Sequence, residues 1–211
     1  MKTIAPVAFT LLTDGSSDRV LLRLLDLLLD AHLRFDHELV WADLRGLDLD
    51  TLAARIGAAL RLYPCRVLFI HRDAEGADPA HRVTEIETAL GMLDVEKPPH
   101  VCVIPVRMTE AWLLSDEAAI RRGAGNSTGA VPLKLPKIPR LEDLPDPKRM
   151  LHRLLREASG LRGRRRHRFD PAEASHRVAE NIDDIAPLRA LPSFKRLERD
   201  VRALRDLEET Q

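Results

Sequence analysis

Acidic side chains that close apolar segments are the residues of this chain best placed to do chemistry. Asp14 and Asp18 lie in Thr13-Asp14-Gly15-Ser16-Ser17-Asp18, after the apolar run 7–12. Asp73 and Glu75 lie in Asp73-Ala74-Glu75-Gly76, after the run 67–70, and Glu110 follows the run 101–106. In a parallel α/β sheet, ligands gather in the crevice beyond the carboxyl ends of the strands. Carboxylates delivered there from separate strands can share one hard cation, for which Mg²⁺ or Mn²⁺ is the natural expectation.

Each position also has a plainer explanation. Asp18 falls in the first turn of the following helix, where the helix dipole favours a negative charge. Ser16 or Ser17 would cap that helix, and Gly15 permits a tight turn. Asp14 ends a strand with no such structural role. Asp73 and Glu75 are two residues apart in an extended segment, so their side chains project to one side. Like charges that close need a cation or a shared proton. Thr109 is a candidate helix cap before Glu110, and Asp116 is best read as the cap of the next helix. His71 could move a proton, and Arg72 and Arg107 could contact phosphate oxygens.

The elements that must carry these groups alternate. Residues 4–13, 35–42, 66–70 and 101–106 read as strands; 16–33, 49–62 and 79–93 read as helices from their apolar spacing. Short helical pieces follow at 109–114 and 116–122. The expected fold is α/β, a mostly parallel sheet of about four strands flanked by helices, with a C-terminal helical extension. Residues 1–122 form the α/β domain, 123–146 a Gly/Pro-rich loop or linker, and 147–211 a basic helical tail.

Composition narrows the function classes. The 211 residues carry no net charge, yet residues 1–120 hold 12 Lys/Arg against 19 Asp/Glu, whereas the rest hold 21 against 14. That asymmetry fits a metal-gathering half joined to a polyanion-binding half. Arg162, Arg164, Arg165, Arg166 and Arg168 cluster within seven residues, a run that supplies sequence-independent affinity for nucleic acid. Aromatics make up 4% of the chain, and Trp41 and Trp112 read as core, so no base-stacking platform is expected. Two cysteines and the absence of a leader-like or membrane-spanning run point to a cytoplasmic protein with reduced thiols.

Leu12-Thr-Asp-Gly-Ser-Ser-Asp18 before a leucine-rich helix, then Phe69-Ile-His-Arg-Asp-Ala-Glu75, resembles the Toprim domain of topoisomerases, primases and overcoming-lysogenization-defect nucleases. The segment 104–116, with Glu110-Ala-Trp112-Leu-Leu114, and the tail segment Leu191-Pro-Ser-Phe-Lys195 resemble a bacterial Toprim-like family of unknown function. The resemblance implies Mg²⁺-dependent cleavage of phosphodiester bonds, a nuclease acting in phage defence beside a partner ATPase. It places the family's general acid or base on Asp14 and its metal pair on Asp73 and Glu75. Asp14 stands where glutamate is usual, and Glu75 where aspartate is usual. A non-catalytic Toprim-like module that binds nucleic acid or regulates a partner is the alternative, and a phosphoacceptor role for Asp73 a third reading. Whether the chain works alone or as a homodimer stays open.

Overall fold

The computed structural model describes residues 5–210, with the side chains of Asp206, Glu208, Glu209 and Thr210 left aside. The expected first strand begins at Ile4, which lies outside the described residues, as does Gln211; the strand itself, β1, spans Val7–Leu12. After a 3-10 turn at Ser16–Val20 come α1 (Leu21–His32), β2 (His37–Trp41), α2 (Leu52–Leu62), β3 (Val67–His71), α3 (Pro79–Gly91) and β4 (His100–Val103). The C-terminal part continues with α4 (Glu110–Leu113), α5 (Glu117–Gly123), α6 (Pro147–Ala158), α7 (Gly163–Arg168), α8 (Pro171–Glu180) and α9 (Pro192–Arg202).

All four strands are parallel, in the order β2-β1-β3-β4. The chain builds outward from β1 to one side, then crosses to β3 on the other. The order therefore reverses between β1 and β3, and the loops that leave these two strands open a crevice at their carboxyl ends. Asp14 and Asp18 follow β1; Asp73 and Glu75 follow β3.

Side-chain alternation assigns each face of the sheet a separate core. Phe9, Leu11, Phe69 and Val101 point to the side covered by α1, whose Leu21, Leu24, Leu25, Leu28 and Leu29 are buried. Leu12, Leu68 and Ile70 point to the other side, against Ile56 of α2 and Ile86 and Leu90 of α3. β3 is buried on both faces, which explains its continuous apolar sequence.

The helices after residue 146 join the first of these cores rather than forming one of their own. Leu151, Leu154, Val178, Phe194 and Val201 are part of the same cluster as Phe9 and Leu11. Two segments of the family-like pattern meet here: the Trp112 indole packs edge-on against Phe194, with centroids 5.4 Å apart, and its Nε1 donates to Ser193 Oγ at 3.3 Å. The Gly/Pro-rich stretch between them is fastened too. Leu141 is buried, Asn126 donates to the Ala158 carbonyl at 2.8 Å, and Arg121 donates to the Val131 carbonyl at 2.8 Å.

Three helices begin with the same pair of residues. Asp78-Pro79, Asp146-Pro147 and Asp170-Pro171 place an aspartate at the cap, accepting from backbone N–H groups two or three residues on, and a proline where no hydrogen bond is lost. Asp116 likewise caps α5 by accepting from Ala119 N at 2.9 Å, as its spacing suggested. Cys65 and Cys102 are both free thiols.

Candidate metal centre

His71, the last residue of β3, lies at the floor of the crevice and is fully buried. Its Nδ1 is 3.0 Å from the Val103 carbonyl of β4. A carbonyl only accepts, so Nδ1 carries the proton and Nε2 turns its lone pair to the crevice. Burial pushes the His71 pKa down, which keeps the ring neutral. That is how a metal-binding histidine is oriented: one nitrogen tied to a backbone oxygen, the other turned to the site.

Three oxygens surround that lone pair. Asp73 Oδ1 is 3.5 Å away, Asp18 Oδ2 3.8 Å, and Thr109 Oγ1 3.4 Å. Ligand atoms of Asp18, His71 and Asp73 all lie within 4.8 Å of one another, a possible metal-binding triad. Asp73 sits there under electrostatic stress. Its Oδ1 is buried without a hydrogen-bond partner. Burial, followed by the charges of Asp18, Glu110 and Asp14, pushes its pKa up to about 8, and the Thr109 backbone N–H offsets only part of that rise. A divalent cation among these three side chains would satisfy the stranded oxygen and relieve the crowding of acids.

Local backbone explains how the triad forms. Instead of starting α1, Ser16–Val20 makes a separate 3-10 turn, closed by Asp18 Oδ2 accepting from Gly15 N at 3.2 Å. No serine side chain caps it. This turn carries the Asp18 carboxylate into the crevice, so its role is not that of a dipole counter-charge on α1. Past β3, Ala74 N and Gly76 N donate to the Pro105 and Val106 carbonyls at 3.0 and 2.7 Å, which sets the β3 loop beside Thr109 and Glu110.

The structure brings together a different set from the one the sequence suggested. Asp73 is central, but Glu75 turns away. Its φ is +55°, in the left-handed region, so the extended geometry that would have aligned it with Asp73 does not hold. Its side chain is 75% exposed and paired with Arg82 at 3.4 Å. Asp14 stays at the rim, where Arg72 Nε (3.1 Å) and Arg55 (3.3 Å) neutralise it. Close enough to bear on the Asp73 charge, it is outside the triad. Glu110 is buried at the start of α4 and takes Lys148 of α6 as its counter-ion at 3.3 Å.

The arginines divide into two groups. Arg72 is held between Asp14 and Glu85, each 3.1 Å away, so it is an internal brace rather than a free phosphate contact. Arg107 lies against Gly76, whose φ of +85° and missing side chain make room for the guanidinium; a Cβ there would come within 2.3 Å of it. The Arg107 Nε is buried without a hydrogen-bond partner. By contrast, Arg162, Arg164, Arg165, Arg166 and Arg168 on and beside α7 are all exposed, and among the described residues none has an ion-pair partner.

Sequence reasoning weighed Asp18 as a first-turn acid and His71 as a proton carrier rather than as candidate ligands, and did not single out Lys148. The signal for His71 was present: His71 and Asp73 are two apart at a strand end, and the rule applied to Asp73 and Glu75 fits them better. Lys148 and His152 are four apart on α6 and line, with Asp18, Thr109 and Glu110, a small cavity of about 30 Å³. Burial, then the nearby Lys148 and Arg156 charges, lowers the His152 pKa.

Fold and site together define an α/β protein with a candidate cation site at the reversal point of a parallel sheet. Within that class, the chain belongs to the family described as a domain of unknown function (DUF4276), whose model matches residues 26–202. The matched span includes His71, Asp73, Glu110 and Lys148 and leaves Asp14 and Asp18 ahead of it. No curated protein and no solved structure matches the chain. Among the described residues, no helix is long and apolar enough to cross a membrane.

Proposed function

We propose that this protein is a metal-dependent phosphodiester hydrolase acting on nucleic acid, with Asp18, His71 and Asp73 as the cation ligands. One observation carries the reading: Asp73, with a stranded buried oxygen and a pKa near 8, shares a crevice with a neutral imidazole lone pair and a second carboxylate. Two carboxylates suit Mg²⁺ or Mn²⁺, and the imidazole tips the preference toward Mn²⁺. When bound, such a cation neutralises phosphate charge and acidifies a coordinated water. The chain's own groups supply the rest. The Val103 carbonyl fixes the imidazole. Lys148, paired with Glu110 at the edge of the same cavity, is positioned to meet an anionic substrate. The five exposed arginines around α7 would add sequence-independent phosphate contacts.

The observation that favours a non-catalytic module is the fate of Asp14. The position to which the Toprim resemblance assigns acid–base chemistry is tied to Arg55 and Arg72. One experiment separates the readings: plasmid, linear DNA and RNA incubated with the protein in Mn²⁺, Mg²⁺ or EDTA, beside calorimetric titration of each metal. Cleavage in Mn²⁺ or Mg²⁺ that stops in EDTA supports the hydrolase. Metal binding without cleavage favours the module, and no metal binding at all removes both readings of the triad.

A further inference from the structure

A groove of about 440 Å³ opens beside the metal centre, between the 3-10 turn, the end of β2 and α8. Its size falls in the roughly 300–1,000 Å³ range of small-molecule and cofactor sites. Its walls are basic and aromatic: Arg19, Arg23, Arg45, His176 and the half-buried Trp41, with Glu180 as the one acid. The sequence placed Trp41 in the core with Trp112. Trp112 is fully buried, but Trp41 presents its ring to this groove and anchors its far edge through Nε1, which donates to Thr13 Oγ1 at 2.9 Å.

Two guanidinium groups lie against that ring, Arg19 at 5.8 Å and Arg45 at 5.5 Å from its centroid. They are not equivalent. Arg45 is already satisfied by a two-pronged contact with Asp43, at 2.8 and 2.6 Å. Arg19 is exposed and, among the described residues, has no ion-pair partner. A guanidinium held face-on by an indole keeps its own N–H edge free for an anion, the arrangement suited to a phosphate. The groove also borders the edge of the candidate metal centre. Val20 and His176 line both it and the small cavity that contains Asp18, Thr109 and Glu110.

We propose that this groove binds the stretch of single-stranded nucleic acid that flanks the scissile phosphate, with Arg19 on a backbone phosphate and the neighbouring base taking the place of Arg45, which Asp43 holds, on the Trp41 ring. The proposal rests on the reading of the metal centre as acting on nucleic acid, and it supplies the form of the substrate: a strand whose bases are free to stack. A duplex, with its bases paired, offers no such partner to Trp41.

The test uses the two tryptophans as they stand, in EDTA so that no cleavage intervenes. Titration of the full chain with a short oligothymidylate is expected to quench tryptophan fluorescence to saturation. Trp41→Phe is expected to abolish the quench, because Trp112 is sealed in the core, and to weaken binding of a dye-labelled oligothymidylate measured by anisotropy. Arg19→Glu, at an exposed position that leaves the core intact, is expected to weaken that binding by about tenfold, the scale of a lost charge-assisted contact. Binding by Arg19→Glu equal to that of the parent chain, or a quench that survives Trp41→Phe, overturns the proposal. Cleavage assayed separately keeps the two readings distinguishable. Groove binding without cleavage in any metal removes the hydrolase and keeps the groove, whereas cleavage unaffected by Arg19→Glu, with unaltered binding, does the reverse.

Discussion

Asp14 and Asp73 end neighbouring parallel strands, face the same crevice, and have been given opposite surroundings. Asp14 is met by two arginines, at 3.1 and 3.3 Å, and is partly open to solvent. Asp73 is 21% exposed, has a buried oxygen with no donor, and is surrounded by Asp18, Glu110 and Asp14 itself. The chain holds arginines of its own nearby, yet directs them to the carboxylates of Asp14, Glu85 and Glu75 and, among the described residues, none to that of Asp73. A carboxylate balanced from within is a structural brace. One left unbalanced beside an imidazole nitrogen that can only accept is arranged for a cation from outside.

The largest expected effect follows from removing the unbalanced charge. Asp73→Asn should lower metal-dependent cleavage by more than the about 10–100-fold that loss of an outer partner of a metal ligand costs. The same variant should raise the melting temperature in EDTA, because it removes an acid the fold holds uncomfortably, and should lose the stabilisation that Mn²⁺ gives the parent chain. The pH dependence has a definite sign. In the folded chain Asp73 keeps its proton up to about pH 8, whereas an unfolded aspartate releases it near pH 4. Between these values the folded state binds more protons, so metal-free stability attributable to this group falls as pH rises from about 4 to about 8. Stabilisation by metal, which must displace that proton, should grow over the same window. Thermal melts at several pH values, with and without Mn²⁺, check both slopes. Parallel slopes for the parent and Asp73→Asn would break the comparison.

A smaller effect is expected from unbalancing Asp14. Arg72→Met removes one of its two counter-ions and leaves more net negative charge around Asp73. Metal affinity should then tighten by a few-fold, in keeping with the roughly 1 kcal/mol or less of a partly exposed ion pair. Calorimetric titration of Mn²⁺ into the variant measures it. Weakened affinity would mean that Arg72 holds the crevice in shape rather than screening it, and the contrast between the two aspartates would lose its electrostatic meaning.

How much of this was legible in the sequence depended on the range of the forces involved. The strands and their parallel direction followed from apolar runs alternating with helical spacings, though not their order in the sheet, and Asp116 was recognisable as a cap because capping acts over three residues. The docking of the later helices depends on the contact of Trp112 with Phe194, 82 positions apart, which no local pattern announces. At the site, Asp73 was recoverable from its place after a strand. Asp18 was misread because the segment after Gly15 was taken for the start of a helix, when a 3-10 turn sends its carboxylate inward. Trp41 was misread because a strand residue with apolar neighbours says nothing about which edge faces water. Family-like spacing offered Asp14 as the reactive acid; only the positions of Arg55 and Arg72, 41 and 58 residues away, show it neutralised.

Glu75 supplies the finest test, because it is the acid closest in sequence to Asp73 and the one least like it in surroundings. Its backbone adopts φ +55°, its carboxylate stands in solvent, and its contact with Arg82 spans 3.4 Å. An exposed pair of that length contributes little, and substitutions at such positions usually change stability by no more than about 0.5 kcal/mol. Glu75→Gln should therefore leave the melting temperature, the Mn²⁺ affinity and the cleavage rate within about twofold of the parent chain. Asp73→Asn, two residues away, should change all three. If Glu75→Gln instead weakens metal binding as strongly as Asp73→Asn, the side chain must swing inward when the cation arrives. The left-handed backbone at this position would then be a hinge between two states, and the pair that the sequence first suggested would be the true ligand set.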